Sequence, residues 1–314
     1  MNNNRVPRYA STMLLVLVLI VAGGNAVWAE QVNLPGMGDY EIYTLGKADK
    51  AQNPSKLWPE TPRQGLNEDG LVGLFVAETA DKLKPRRMFA GAQFYYSDLT
   101  SRRGTTYHSG ETGSLQTLKL SVDYLGDWAE WSVSVPVHSY SLSAPRTYSK
   151  LPQDSTGLGN LKLAWKATYL PDRSYYRFAY GTVIETVTGD PKTMWPASKP
   201  NDELKIFGCV TTKETDFATG NLELGAIIDS GGNNNRFLYR LGLSYEATKH
   251  ATFIGELAGE VQGGNDKDTL DLVTGIRLSP SGASILELQY TKNLRTYREF
   301  GWDDRLSAGF TIRW

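Results

Sequence analysis

Residues 305–314, RLSAGFTIRW, decide how the chain is to be read. Leu306, Ala308, Phe310, Ile312 and Trp314 fall on one face of an extended strand, and Arg305, Ser307, Gly309, Thr311 and Arg313 on the other. Successive side chains on a strand point to opposite sides. A helix would mix the two sets, so period two fits and the helical period does not. One face suits hydrocarbon and the other suits water. The last strand of a soluble sandwich is also one-sided, so the rest of the chain must choose between a sandwich and a membrane barrel.

At the other end, Arg5 and Arg8 precede an apolar run over residues 13–22, then Gly23, Gly24 and the small-residue site Val27-Trp28-Ala29. That is the order of a secretory signal peptide, with cleavage expected near Ala29. The apolar core is far shorter than the roughly 20 residues a membrane helix needs. No cysteine follows it, which argues against a lipoprotein. Mean hydropathy is -0.36, a value a β-barrel shares with soluble proteins because only every second wall residue faces lipid. The single cysteine, Cys209, excludes a disulfide framework, and a net charge of -1 gives no ground for nucleic-acid binding.

From Pro85 onward the alternation repeats. Leu118, Leu120, Val122 and Tyr124 oppose Lys119, Ser121 and Asp123. Trp131, Val133, Val135 and Val137 oppose Glu130, Ser132, Ser134 and His138. Comparable sets fall at 88–96, 160–169, 176–185, 203–211, 222–229, 237–246, 253–261, 270–277 and 286–290. With 305–314 these predict about twelve strands, an even count as bacterial barrels have. Long polar junctions at 99–114, 142–156, 188–202 and 294–304 alternate with tight ones at 126–127, 171–174, 213–216, 248–250 and 279–283. This sorting is a barrel's, with the long set extracellular and both termini periplasmic. Trp128, Trp131, Tyr124, Tyr169, Tyr245 and Trp314 are expected at the periplasmic rim, and Tyr96, Tyr140 and Tyr290 at the outer rim. The fold expected is all-β: a transmembrane antiparallel up-and-down barrel over residues 85–314, of about twelve strands with fourteen as the alternative.

Two resemblances follow. Gly309, Phe310, Ile312 and Trp314 resemble the C-terminal signal by which outer-membrane barrels are read by the barrel assembly machinery. GLGNLKLAWKATYL (residues 157–170), followed by a strand ending in Thr188-Gly189-Asp190, resembles the outer-membrane protein family of the phenol-degradation meta pathway. That family typically carries Asp where this chain has Asn160 and Pro where it has Val187. The resemblance implies a barrel admitting hydrophobic or aromatic small molecules.

Inward-facing charges are the candidate lumen lining: Lys119, Lys162, Lys166, Arg177, Glu185, Glu223, Arg240, Glu256, Arg277 and Glu287. They suit either a charged constriction or a cross-strand ion-pair lattice. An eight-strand barrel is filled by side chains and a 16-strand one is open, so twelve predicts a narrow or plugged path. A lipid hydrolase is the competing reading, since His108-Ser109 and His138-Ser139 put a base near a hydroxyl. Neither carries a barrel-phospholipase signature, and strand neighbours point opposite ways. Together with His250 these are all the histidines, and no cofactor or metal is expected. The function expected is an outer-membrane channel for passive uptake of small molecules, in contact with lipid and solute. A non-conducting structural barrel is the remaining alternative.

Residues 30–84 are polar and broken by Pro35, Pro54, Pro59 and Pro62, with an apolar run at 70–80. They are expected to be a lumenal plug, a periplasmic tail, or a hairpin of 40–44 with 71–76 that would raise the strand count to fourteen.

Overall fold

The computed structural model describes residues 65–80, 87–101, 112–143, 154–169, 176–189, 201–213, 218–232, 234–248, 250–262, 268–281, 283–295 and 300–314. The expected signal peptide, His108 and the 40–44 candidate strand lie outside these residues. No described helix is long and apolar enough to cross a membrane. The strands do what such a helix would do.

Two short strands, β1 (Gly65–Leu66) and β2 (Val72–Gly73), form a small hairpin. The wall begins with β3 (Arg87–Ser101), β4 (Thr112–Leu125) and β5 (Ala129–Ser143). It continues through β6 (Asp154–Leu158), β7 (Leu161–Tyr169), β8 (Tyr176–Thr186), β9 (Glu203–Lys213) and β10 (Ala218–Asp229). The last five are β11 (Arg236–Thr248), β12 (Ala251–Gln262), β13 (Thr269–Ser281), β14 (Ser284–Arg295) and β15 (Phe300–Arg313). Each pairs antiparallel with the next, except that β6 and β7 both pair with β5, and β15 returns to β3 from Arg313 opposite Phe89 to Phe300 opposite Ser101. Reciprocal Met88–Trp314 backbone bonds of 3.1 Å extend that seam. The result is a closed barrel of twelve strands plus one extra short strand. Closure matters because hydrocarbon offers no partner to a free sheet edge.

The extra strand is half of an interrupted one. On β5, Ser134 faces Lys162 of β7 and Val137 faces Leu158 of β6. Between these pairs β5 has Val135 and Pro136, while the partner has Gly159, Asn160 and Leu161, one residue more. This is a β-bulge. Pro136 brings no N–H to the ladder, and its carbonyl accepts from Gly159 N at 2.8 Å. A Cβ on Gly159 would lie 2.3 Å from His138 Nε2, so only glycine fits. Thr188 secures the bulge from β8's side: its hydroxyl donates to Gly159 O at 2.8 Å and accepts from Leu161 N at 2.9 Å. The Gly-Leu-Gly-Asn motif and Thr188 of the Thr-Gly-Asp motif therefore meet at one structural joint.

Outside, the wall is apolar: Leu120, Val133, Leu241, Leu288 and Phe310 are all strongly exposed. Trp128, Trp131, Tyr124, Tyr169, Tyr245 and Trp314 ring the short-connection end, where Trp165 packs edge-on between Trp128 and Tyr180. Tyr96 and Tyr290 are exposed toward the long-connection end. Tyr140 is not: it is 2% exposed and packs inward with Leu99 and Leu115. It shares the parity of His138, which is two residues before it, so it cannot sit on the outer belt. The expected junction at 294–304 is also largely strand, since β14 runs to Arg295 and β15 starts at Phe300.

Leu120→Arg, near the middle of β4, is expected to cost about 2–4 kcal/mol, and Gln116→Arg, nearer the long-connection end, about 1 kcal/mol or less. Urea unfolding in lipid vesicles measures both. Equal effects would mean that the bilayer midplane does not cross β4 near Leu120.

Candidate functional site

Residues 65–80 lie inside the barrel and are almost entirely buried. They are neither a thirteenth wall strand nor part of an added hairpin. An Asn67–Gly70 turn joins β1 to β2. Asn67 Oδ1 accepts from Asp69 N at 3.0 Å and Leu71 N at 3.1 Å, a local bond pattern that Asn is suited to make. Gly70 has φ +83, and a Cβ there would meet the Ser134 and Ser132 hydroxyls at 2.4 and 2.5 Å. Both constraints demand glycine. A second turn follows, closed by Leu74 N donating to Ala77 O at 3.0 Å.

So short a hairpin leaves most of its backbone without a sheet partner. An unsatisfied buried amide or carbonyl costs about 1–3 kcal/mol, and here the wall supplies the missing partners. Glu130 accepts from Val72 N–H. Glu256 accepts from Phe75 N at 2.7 Å, Val76 N at 3.2 Å and Ala77 N at 2.7 Å. Glu223 accepts from Glu78 N at 2.8 Å, and Thr211 from Ala80 N at 2.8 Å. In the opposite sense, Lys119 donates to Asn67 O at 2.6 Å, and Lys166 donates to Val72 O. Arg277 reaches Gly73 O at 3.0 Å, and Arg240 reaches Val76 O at 2.7 Å. Gln93 donates to Leu66 O at 2.7 Å, and Asn221 to Glu78 O at 2.7 Å. Carboxylates and the Thr211 hydroxyl take the amides, and cations, side-chain amides and serine hydroxyls take the carbonyls.

Apolar packing completes the seat. Phe75, Leu74 and Val76 pack with Ile254 and Val273; Leu66 and Val72 with Phe89 and Leu125; Leu71 with Ala164, Val183 and Phe207. Ala80 touches Ala179 and Cys209. The segment thus sits in the lumen as a plug would, attached to strands all round the wall.

Of the inward charges, Lys119, Lys166, Glu223, Arg240, Glu256 and Arg277 bond the plug backbone. Lys162 bonds the Asp69 carboxylate at 3.0 Å and lies 3.9 Å from Glu185. Glu287 holds Arg277 at 2.6 Å. Arg177 stands half-buried on the inward face of β8, near the short-connection end. Of the residues at 309–314, Gly309 faces Glu287 and Gln93 inside, while Phe310, Ile312 and Trp314 are exposed outside. Alternation picked out the wall partners. It did not pick out Asn67, Glu68, Asp69 and Glu78, the plug's own polar groups, whose only trace in the sequence is a few carboxylates flanking an apolar run.

On the long-connection side of the plug lies a cavity of about 330 Å³. Glu68 and Asp69, the tip of the first turn, line it beside Lys119, Lys162, Lys205, Arg240 and Arg305. Arg305 pairs with Glu68; Lys205 bonds Asp69 at 2.8 Å. Burial would push both tip carboxyls up. For Glu68, Arg305, Lys162, Arg240 and Lys119 outweigh burial and lower it; for Asp69, Lys162, Lys205 and Arg240 hold it well below the usual carboxylate range. Both are therefore anionic at neutral pH. Deeper in, burial pushes Glu78 up to about 7 against the pull of Lys205 and Lys166.

His138 faces inward with Nδ1 2.8 Å from Thr117 Oγ1. Ser139 instead accepts from Thr156 at 2.9 Å, so this His and Ser do not meet. His250 lies at a turn, 2.9 Å from Ser279 O. Among the described residues no acidic, Cys and His group could hold a metal.

No protein-family model matches the chain, so the phenol-degradation resemblance rests on its two motifs alone. No curated relative matches it either. Among solved structures it is similar to an outer-membrane channel from Pseudomonas putida F1, with a TM-score of 0.59 and 13% identity, covering 75% of this chain and 98% of that one. The NanC porin gives a TM-score of 0.45 at 8% identity over 71% and 98%, and a Ralstonia pickettii toluene transporter 0.44 at 9% over 74% and 90%. At these identities the likeness is one of fold: a closed outer-membrane β-barrel.

Proposed function

We propose that this protein is an outer-membrane channel for passive uptake of small molecules, with residues 65–80 as a resident plug that narrows its path. The long-connection end faces outside, both termini face the periplasm, and the chain matures by cleavage near Ala29. The observation that carries the reading is a closed, lipid-compatible wall around a charged lumen with a cavity of about 330 Å³ above the plug. Enzymes need a reacting pair of groups; most of the inward charges here hold the plug, and His138 does not meet Ser139. The Pseudomonas putida structure that shares this fold is itself described as an outer-membrane channel.

The phenol-degradation resemblance favours aromatic or hydrophobic cargo. The cavity's lining favours a solute that carries polar groups, because a bare hydrocarbon would leave buried charges without water. Aromatic acids satisfy both. Swelling of proteoliposomes in a panel of aromatic acids, sugars and amino acids tests the reading, with faster swelling expected for acids than for sugars of equal size. No swelling in any solute, with or without the plug, would contradict it and leave a structural barrel.

A further inference from the structure

We propose that the Glu68–Asp69 tip is a built-in stand-in for the solute, and that the site it occupies takes a small dicarboxylate. The proposal rests on the channel reading and deepens it by naming a substrate class.

The tip presents two adjacent carboxylates to five cations that come from five different strands. Glu68 sits on Arg305, and Asp69 bridges Lys162 at 3.0 Å and Lys205 at 2.8 Å. Lys119 and Arg240 act on the tip from either side while holding the backbone at Asn67 and Val76. Part of this positive charge is matched within the structure: Glu223 pairs with Lys205 at 2.8 Å and Arg240 at 3.3 Å, and Glu185 lies near Lys162. The tip supplies two further negative charges at the centre.

These two charges do not belong to the wall. They ride on a hairpin turn, and both face the cavity from below. Glu68's side chain is 25% exposed to it, so a solute entering from the long-connection end reaches the tip's ion pairs directly. A dicarboxylate can exchange for the tip one carboxylate at a time, taking Arg305 and then the Lys162–Lys205 pair, without ever leaving the cations bare. A monocarboxylate satisfies only half of the site, and a neutral solute satisfies none of it. The plug's remaining backbone bonds lie deeper and need not break.

Neutralising the tip should convert the stand-in's place into an open anion site. In Glu68→Gln/Asp69→Asn protein, purified in detergent, isothermal titration calorimetry should find succinate bound at least about tenfold more tightly than by the unaltered protein, because the competing carboxylates are gone. Butyrate, with one carboxylate, should gain less, and glycerol nothing. Lys205→Met in the same background should abolish the gain. Asp69→Asn alone, a milder change, should show part of it and guards against misfolding of the double variant. In planar bilayers the double variant should also shift toward anion selectivity. Succinate binding no tighter than in the unaltered protein, or a gain equal for butyrate, would overturn the proposal. A succinate gain in a barrel that passes no solute would instead defeat the channel reading and leave the anion site standing.

Discussion

Deleting residues 65–80 is expected to raise single-channel conductance severalfold while the barrel still assembles. The plug fills the middle of the lumen, and a twelve-strand wall without it lies between filled eight-strand barrels and open 16-strand channels. Assembly should survive because the wall strands pair with one another and not with the plug. The charges that hold the plug, Glu256, Lys166 and Arg277 among them, would then face water rather than an empty apolar site. They would lose partners but regain hydration. Planar-bilayer recording of the full chain and the deletion, with heat-modifiable gel mobility as the assembly check, measures both parts. Unchanged conductance would mean that the path does not run through the region the plug occupies.

Replacing Phe310 and Trp314 by serine is expected to prevent insertion altogether. Both side chains stand outside, Phe310 on β15 and Trp314 just past its end, at 41% and 61% exposure, and β15 is the strand that closes the ring against β3. The substitutions strip the aromatic anchors from the closing strand where it meets the headgroup layer. They also remove the features that resemble an assembly signal. Outer-membrane levels by fractionation and immunoblot report the outcome, and the variant protein should be degraded in the periplasm. Normal membrane levels would show that closure depends on the backbone pairing alone.

The wall was legible because lipid on one side and water on the other impose period two on every strand. Leu118 to Tyr124 and Trp131 to Val137 could be sorted onto faces without any structure. Legibility failed where that asymmetry ends. At the long-connection end the Asp154–Leu158 strand is only five residues long and mostly polar, and Asp303 and Asp304 break the apolar pattern of β15, so both stretches read as loop. Residue type alone suggests a belt position for Tyr140, but its parity with His138 puts it inside. The plug was hardest, because residues 65–80 are buried on all sides and alternate with nothing. Many of their hydrogen bonds go to distant side chains, among them Glu256, Arg277 and Lys166, at least 94 residues from the residues they bond, and no local pattern announces such partners. The inward charges were visible as a set; their common task of binding one backbone was not.

The chain's own segment occupies its lumen, and the chain contains a reporter for it. Cys209, its single cysteine, points inward from β9 at 3% exposure and packs against Ala80 of the plug and Ala179 of the wall. The rate of its labelling by a membrane-impermeant maleimide, in vesicles bearing the full chain or the 65–80 deletion, reads plug occupancy directly. The account predicts a thiol that scarcely reacts in the full chain and reacts many-fold faster once the plug is deleted. Equal rates in the two proteins would contradict it.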